Sequence, residues 1–188
     1  MLVRMKRRNI GFLSFRISGT DGVSLETKKW AEVLERNGHR CFYFAGELDT
    51  PENVSMVAEE AHFQTDTPRD IYQRSFQDGV RPESLTRDIH ASRKRLKQEL
   101  RRFIDEFSLD VLVPQNTLTI PLNPPLAMAI TEVIAETGIA TIAHHHDFFW
   151  ERTRFINSNI PDILQYCYPP RLPSVEHVVI NSAARDQV

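Results

Sequence analysis

The chain has 188 residues, of which 41% are hydrophobic and 26% charged, and its formal net charge is −2 at pH 7. That length suits one well-packed soluble domain, to which we assign residues 1–188. The nearly balanced charge gives no global attraction to nucleic acid or to acidic membranes, so no nucleic-acid partner is expected. No apolar run approaches the roughly 18 residues of a membrane span, and a cytoplasmic location is predicted.

The first part of the chain predicts a strand, a glycine-containing loop, a helix and a second strand. Residues 9–15 are mostly apolar and are bounded by charges, which is typical of a strand. Residues 17–22 tolerate tight turns, and apolar residues then recur at helical spacing until Asn37 and Gly38 provide a stop signal. Residues 40–45 predict the next strand, and this β-α-β order is typical of parallel sheets.

The middle of the chain contains one ambiguous segment and two predicted helices. Residues 47–66 are compatible with a short strand or a short helix. Pro68 can open a helix that runs through Phe76. From residue 83 to residue 107, apolar side chains recur along one face of a long predicted helix.

The rest of that long helix is strongly basic, with six cations between Arg93 and Arg102. Such a face is compatible with an anionic lipid surface or with nucleic acid. Acidic residues such as Glu99 lie among these cations, which favours a solvated face with local ion pairs. Peripheral membrane contact is therefore not expected.

The second half continues the alternation of strands and helices. Residues 110–114 predict a buried strand, Pro124 can start a helix that ends before Gly138, and another strand follows. Residues 157–173 predict an irregular connection, residues 177–180 a short strand, and residues 181–183 the start of a helix. The whole pattern predicts an α/β fold with a Rossmann-like parallel sheet flanked by helices.

Polar chemistry is concentrated in residues 139–154, which begin as an apolar strand and continue with three histidines, an aspartate, three aromatic residues and several charges. Open α/β sheets bind their ligands at such strand ends. Because side chains alternate along a strand, His144 and His146 are expected to share one side and His145 to point away. We expect the loop that begins at Gly19 to lie beside His146 at this edge.

Three short motifs stand at or near the ends of predicted strands: Gly19-Thr20-Asp21-Gly22-Val23-Ser24, His146-Asp147-Phe148-Phe149-Trp150-Glu151-Arg152 and Val178-Val179-Ile180-Asn181-Ser182. Together with the order of the elements, they resemble the N-terminal domain of a family-4 glycosyltransferase over nearly the whole chain. Those enzymes have the GT-B architecture, in which two Rossmann-like domains face each other across a cleft.

The resemblance implies transfer of a hexosyl group from a nucleotide-sugar donor to an acceptor, with retention of configuration and without a cofactor or an obligatory metal. The acceptor is expected to be a sugar, a lipid-linked compound or a small molecule. In that family the C-terminal domain holds most of the donor, through basic residues and paired glutamates that this sequence lacks. The chain therefore corresponds to the acceptor-side domain, and we expect it to be inactive without the C-terminal nucleotide-sugar-binding domain.

The resemblance also implies roles for individual residues. His146 is expected to be the catalytic residue that contacts the donor sugar near the reacting centre. Apart from the resemblance, the neighbouring Asp147 is expected to fix the tautomer of this ring. Gly22 is expected to face the donor diphosphate, with Thr20 and Asp21 near the acceptor. The predicted substrate-binding residues are Gly19, Thr20, Asp21, Gly22, Asn116, Asp147 and Arg152.

Several of these residues also have a structural interpretation. Glycines in residues 19–22 let backbone N–H groups approach an anion at the positive end of the next helix. The same loop can be an ordinary strand-to-helix turn, in which Asp21 caps the helix instead of repelling a phosphate. Asn116 is equally suited to capping the next segment, and Arg152 to a solvated helix face. The aromatic residues 148–150 favour packing over stacking on a sugar.

The histidine cluster has three interpretations: a sugar site, a structural cluster, or the metal site of a hydrolase that uses His144 and His146. A catalytic zinc needs about three protein ligands, and no other His or Cys pair has matching spacing, so no metal is predicted. Cys41 and Cys167 are expected to be reduced structural thiols. A further alternative is a non-catalytic Rossmann-like module that binds a nucleotide or a partner.

Overall fold

The computed structural model describes residues 6–186 and contains one six-stranded parallel sheet. The strands are β1 (Asn9–Leu13), β2 (Arg40–Ala45), β3 (Ser55–Val57), β4 (Val111–Pro114), β5 (Ala140–His145) and β6 (Val175–Val179). Their order in the sheet is β3-β2-β1-β4-β5-β6, with parallel pairing throughout. The predicted α/β fold with a Rossmann-like parallel sheet is confirmed. Both ends of the predicted domain, 1–5 and 187–188, lie outside the described residues.

Helices cover both faces of this sheet: α1 (Gly22–Arg36), α2 (Asp66–Ser75), α3 (Glu83–Phe107), α4 (Pro124–Thr137), α5 (Pro161–Cys167) and α6 (Ser182–Arg185). Side-chain alternation along β1 separates two cores. Ile10 and Phe12 pack in a core with Ala31 of α1. Leu13 belongs to a larger core that contains Leu96 of α3 and further side chains of α4. Burial on both faces explains why the strands are apolar runs.

The structure settles the ambiguous segment and corrects one prediction. Residues 47–66 contain the edge strand β3, which lies between two short 3-10 turns. The prediction of an irregular connection over residues 157–173 is wrong, because α5 lies within it and buries Ile163, Leu164 and Cys167. This helix has only seven residues, which is too short for helical periodicity to stand out in the sequence.

The basic face of α3 forms ion pairs, but the prediction that they are local is wrong for most of them, because their partners lie on other elements. Arg93 and Lys97 both contact Glu132 of α4, at 2.5 and 2.8 Å. Lys97 and Arg101 both contact Glu136 of the same helix. Packing of α3 against α4 brings the cations of one helix beside the acids of the other. The sequence could not indicate this pairing, because it depends on how the two helices meet.

Two further expectations concern the cysteines and membrane segments. Cys41 and Cys167 are both free and buried, in agreement with the predicted structural thiols. None of the helices within residues 6–186 combines the length and apolar character needed to cross a lipid bilayer.

Candidate functional site

The candidate site lies at the carboxyl edge of the sheet, where the strand order changes direction. From β1 the chain crosses to β2 on one side, and from β4 it crosses to β5 on the other, so the loops after β1 and β4 diverge. Such a switch point leaves a crevice in which α/β proteins bind ligands. Gly22 and His146 line one cavity at this edge. The prediction that the glycine loop and His146 are neighbours is confirmed.

Asp21 caps α1. Its Oδ1 accepts hydrogen bonds from the backbone N–H groups of Val23 and Ser24, at 3.1 and 3.2 Å. Its Oδ2 accepts from the Ser24 hydroxyl at 2.7 Å and from the Arg16 guanidinium at 3.1 Å. Burial raises the pKa of this carboxyl, but the hydrogen bonds from Ser24 and Arg16 outweigh burial and hold the pKa below its usual range. A carboxylate therefore occupies the place where a phosphate would meet the helix N-terminus.

The other residues of loop 19–22 are exposed to solvent. Gly19 has a φ of +76°, and its N–H already donates to Asp49 at 2.9 Å. A Cβ added at Gly19 or at Gly22 would meet no atom within 4 Å, so a ligand can approach the backbone at both glycines. Contact of Gly22 with a diphosphate stays a prediction.

His144 is a buried histidine that also lines the cavity of His146. Its ring stacks on Trp30, with ring centroids 4.6 Å apart, and its Nδ1 shares a 2.8 Å hydrogen bond with Oε1 of Gln115. Burial, reinforced by the neighbouring His146, lowers the pKa of His144 to about 4. This ring is therefore neutral at neutral pH, and its orientation is set by its two neighbours.

His146 lies beside His144, with ring centroids 4.7 Å apart, as the predicted side-chain alternation requires. Burial lowers its pKa, although Glu26 and Asp21 act in the opposite direction. Its Nε2 is buried and has no hydrogen-bond partner within residues 6–186. A neutral imidazole with an unpaired ring nitrogen can donate to or accept from a sugar hydroxyl. The catalytic role of His146 stays a prediction.

His145 points to the other side of β5, as expected. Its Nε2 shares a 2.8 Å hydrogen bond with Nδ1 of His177 on β6. Nε2 of His177 in turn lies 3.2 Å from the carbonyl oxygen of Pro170. Burial, reinforced by His177, lowers the pKa of His145 to about 3. This pair belongs to the packing between β5 and β6, so the cluster combines site-facing and structural histidines.

Asn116, Asp147 and Arg152 form a chain of hydrogen bonds under His146. Asn116 has a left-handed backbone, with a φ of +58°. Its side-chain oxygen accepts from the N–H of His146 at 3.1 Å, and its Nδ2 donates to Asp147 at 2.9 Å. Arg152 donates to the other carboxylate oxygen of Asp147. The carboxylate of Asp147 thus accepts hydrogen bonds from Asn116 and Arg152. Together these three residues position the backbone of His146.

The aromatic residues after His146 are mainly packing groups. Phe148 is buried, and Trp150 stacks on it with ring centroids 4.6 Å apart. Phe149 is partly buried against the larger core. The preference for packing over sugar stacking is confirmed for Phe148.

The metal-site interpretation has little geometric support in the described part of the chain. Within residues 6–186, no group of three or more His, Cys, Asp or Glu side chains is arranged to hold a metal ion. One ring nitrogen of His144 is already hydrogen-bonded to Gln115. A hydrolase based on His144 and His146 would lack a third ligand among these residues.

Sequence reasoning did not single out Glu26 and Trp30, which line the cavity of His146, or Arg16, which forms an ion pair with Asp21. Glu26 and Trp30 lie one turn apart on α1, line the cavity of His146 and are joined by a 3.1 Å hydrogen bond. The sequence could have indicated both residues, because they belong to the helix that begins at the predicted ligand-binding edge of the sheet. Arg16 is a cation directly after an apolar strand.

No family model matches the chain, but curated proteins do. The mannosylglucosylglycerate synthase of Thermotoga maritima is 32% identical over 183 residues, and that of Petrotoga mobilis is 29% identical over 190 residues. Both matches cover 95% of this chain and 41% of the relative. The chain thus spans about two fifths of the length of these relatives. They confirm the resemblance to glycosyltransferases that the motifs predicted.

Solved structures give a more distant likeness. An alpha-glucosyltransferase in complex with UDP-glucose and DNA containing an abasic site matches 92% of this chain and 42% of its own length. The sequence identity is 11% and the TM-score is 0.43, too low to carry an argument about function.

Proposed function

We propose that this chain forms the acceptor side of a retaining, family-4 glycosyltransferase that transfers a hexosyl group from a nucleotide-sugar donor. The relatives are named for a product that contains mannose, glucose and glycerate. The proposed acceptor is therefore a glycoside of glycerate, which carries a carboxylate. The donor is held mainly by a C-terminal domain, the reaction needs no cofactor or metal, and the protein works in the cytoplasm.

The observation that carries this proposal is the cavity shared by Gly22 and His146. It has a volume of about 610 Å³ and opens beside the start of α1. Its lining includes Gly22, where the backbone is open, and His146, whose buried Nε2 has no hydrogen-bond partner within residues 6–186. A diphosphate beside Gly22 and a sugar hydroxyl beside His146 match the chemistry of a nucleotide sugar.

The surroundings of His146 are suited to positioning rather than to proton transfer. Burial keeps the ring neutral, so it can orient a sugar hydroxyl without adding a positive charge. Asn116 holds its backbone N–H, and the ring of His144 lies against it. Such preorganisation places a hydroxyl near the reacting centre at little entropic cost.

The 188 residues are proposed to be inactive by themselves. In the resembled family the basic residues and the paired glutamates that hold the donor belong to the C-terminal domain. Asp21 also occupies the N-terminal N–H groups of α1, so the described residues offer few free donors for a diphosphate. We expect weak nucleotide binding by this chain. Tight binding would favour the non-catalytic nucleotide-binding module instead.

The test is sugar transfer by the full-length protein with the variant His146→Ala. We expect the rate to fall at least about tenfold, equivalent to about 1.4 kcal/mol, because a hydrogen bond to the sugar is lost. His90→Ala is the matched control, since His90 is exposed on α3. Circular dichroism checks that both variants fold. Wild-type transfer by His146→Ala would show that His146 is not the catalytic residue.

A further inference from the structure

A second cavity lies on the other side of Asp21, directly at the switch point between β1 and β4. Its volume is about 210 Å³, which suits a small molecule or one end of a larger one. Its polar lining includes Arg16 and Asp21, from the loop after β1, and Gln115 and Asn116, directly after β4. Phe15 and Leu122 contribute apolar walls. Asp21 and Asn116 are among the predicted substrate-binding residues, whereas Arg16 and Gln115 have no role in the proposed function.

Ser14 and Asn116 also line this cavity, and two of its lining residues, Arg16 and Gln115, carry buried N–H donors without partners among residues 6–186. Gln115 is fully buried, and its Nε2 has no hydrogen-bond partner in the described chain, although its Oε1 is bonded to His144. Nε of Arg16 is also buried and lacks a partner among these residues, while its Nη2 donates to Asp21. A buried polar group without a partner costs about 1–3 kcal/mol. The cavity is therefore suited to a ligand that supplies oxygen acceptors.

The position of Gln115 is fixed by the sheet itself. Its backbone N–H donates to the carbonyl of Leu13 at 2.7 Å, and the next N–H, that of Asn116, donates to the carbonyl of His144 at 2.8 Å. Gln115 is thus held between β1 and β5. Its unpaired amide cannot move far to find a partner in the protein, so a ligand is its natural partner.

This cavity adjoins the cavity of His146. Asp21 lines the first and Gly22, the next residue, lines the second. The hydrogen bond between Gln115 and His144 joins the linings of the two cavities. A ligand that reaches across this boundary places one end at Arg16 and the other near His146.

We infer that Arg16 and Gln115 bind the carboxylate of the acceptor, so that the sugar end of the same molecule is presented to the cavity of His146. This inference rests on the proposed function. Nε of Arg16 and Nε2 of Gln115 donate to the carboxylate oxygens, and the bond from Nη2 to Asp21 is kept. Charge-assisted hydrogen bonds of this kind distinguish an acid from a neutral compound of the same shape.

The charge of the cavity favours a carboxylate over a phosphate. Asp21 is negatively charged and contacts the same guanidinium, so it offsets part of the positive charge of Arg16. A phosphate monoester carries nearly two negative charges at neutral pH, and its repulsion from Asp21 is larger than that of a carboxylate. The site is therefore assigned to a monoanion.

The test compares an acidic and a neutral acceptor of the full-length protein, a hexosylglycerate and the matching hexosylglycerol. In Arg16→Gln we expect the KM for the acid to rise at least about tenfold and the KM for the neutral compound to change less than about twofold. Lys28→Gln is the matched control. Its ion pair with Asp49 is as exposed as that of Arg16 with Asp21, and Lys28 is not among the residues that line this cavity.

A binding measurement separates this inference from the proposed function. Glycerate, glycerol and inorganic phosphate are titrated into the protein without donor, and Arg16→Lys serves as a second variant that keeps the charge. Saturable binding of glycerate alone, weakened in Arg16→Gln and partly kept in Arg16→Lys, supports the carboxylate site even if no sugar transfer is found. Equal binding of glycerate and glycerol, tighter binding of phosphate, or equal loss of both acceptors in Arg16→Gln overturns it.

Discussion

Acidification is expected to destabilise this protein well above the pH at which carboxylates titrate, because the fold buries neutral histidines. Burial lowers the pKa of His144 to about 4 and that of His145 to about 3, from an unfolded value of 6.5. The folded protein excludes protons from both rings, whereas the unfolded chain binds them below pH 6.5. Stability is therefore complete above that pH and is lost as the pH falls towards the lowered values.

The size of this effect follows from linkage. For each proton that only the unfolded state binds, the free energy of unfolding falls by about 1.4 kcal/mol per unit of decreasing pH. Between about pH 7.5 and about pH 5, His144 and His145 each remove about 2 kcal/mol, so the free energy of unfolding falls by about 4 kcal/mol. Native domains have stabilities of about 5–15 kcal/mol, so this loss is large. Burial lowers the pKa of His177 as well, which acts in the same direction.

The assay is urea unfolding, followed by circular dichroism, at several pH values between about 5 and 7.5. His144→Gln removes one titrating ring, and we expect it to reduce the pH-dependent loss by about 2 kcal/mol, whatever its effect at neutral pH. His90→Gln is the control for removing an exposed histidine. Carboxylates such as Asp21, whose pKa is below its usual 3.8, act only at lower pH.

A free energy of unfolding that stays constant between about pH 7.5 and pH 5 would refute this reasoning. A slope that is the same in the wild type and in His144→Gln would show that other groups cause the loss. The first result would mean that the rings of His144 and His145 accept protons in the folded state, and the second would mean this for His144.

Two substitutions test the packing that supports the site. Asn123→Ala removes the cap of α4 and the hydrogen bonds from the fully buried Asn123 side chain to the carbonyls of Glu60 and Ala61. Urea unfolding should therefore show that the free energy of unfolding falls by about 2–4 kcal/mol. A loss below about 0.5 kcal/mol would contradict the assigned cap. Gly46→Ala places a Cβ 2.2 Å from the backbone nitrogen of His62. Thermal unfolding should therefore reveal a destabilisation of at least about 1–3 kcal/mol. An unchanged Tm would show that the two backbones are not in contact.

Much of the fold could be predicted because its elements have local signals. The apolar stripe of α3 and the proline and glycine at the two ends of α4 are visible in the sequence. The elements that escaped prediction are short: β3 has three residues and α5 has seven. Such segments depend on the neighbours against which they pack, so their own periodicity carries little information.

Some features of the candidate site could likewise be predicted from local sequence, and others could not. Alternation along β5 was enough to place His144 and His146 on one side and His145 on the other. The expectation that Asp147 sets the tautomer of His146 came from adjacency in sequence. In the structure Asp147 is engaged by Asn116 and by Arg152. Adjacent residues often point apart, and distant loops provide the actual partners.

The amino-acid sequence by itself determined the alternating α/β order and the concentration of polar groups at one edge, because both depend on residues close together in the chain. Only the tertiary structure decided that Gln115 meets His144 and that Arg16 and Gln115 line the same cavity. These contacts require β4 to lie between β1 and β5. The order of strands is a property of the packed sheet, since strands far apart in the chain become neighbours only when their apolar faces are buried together.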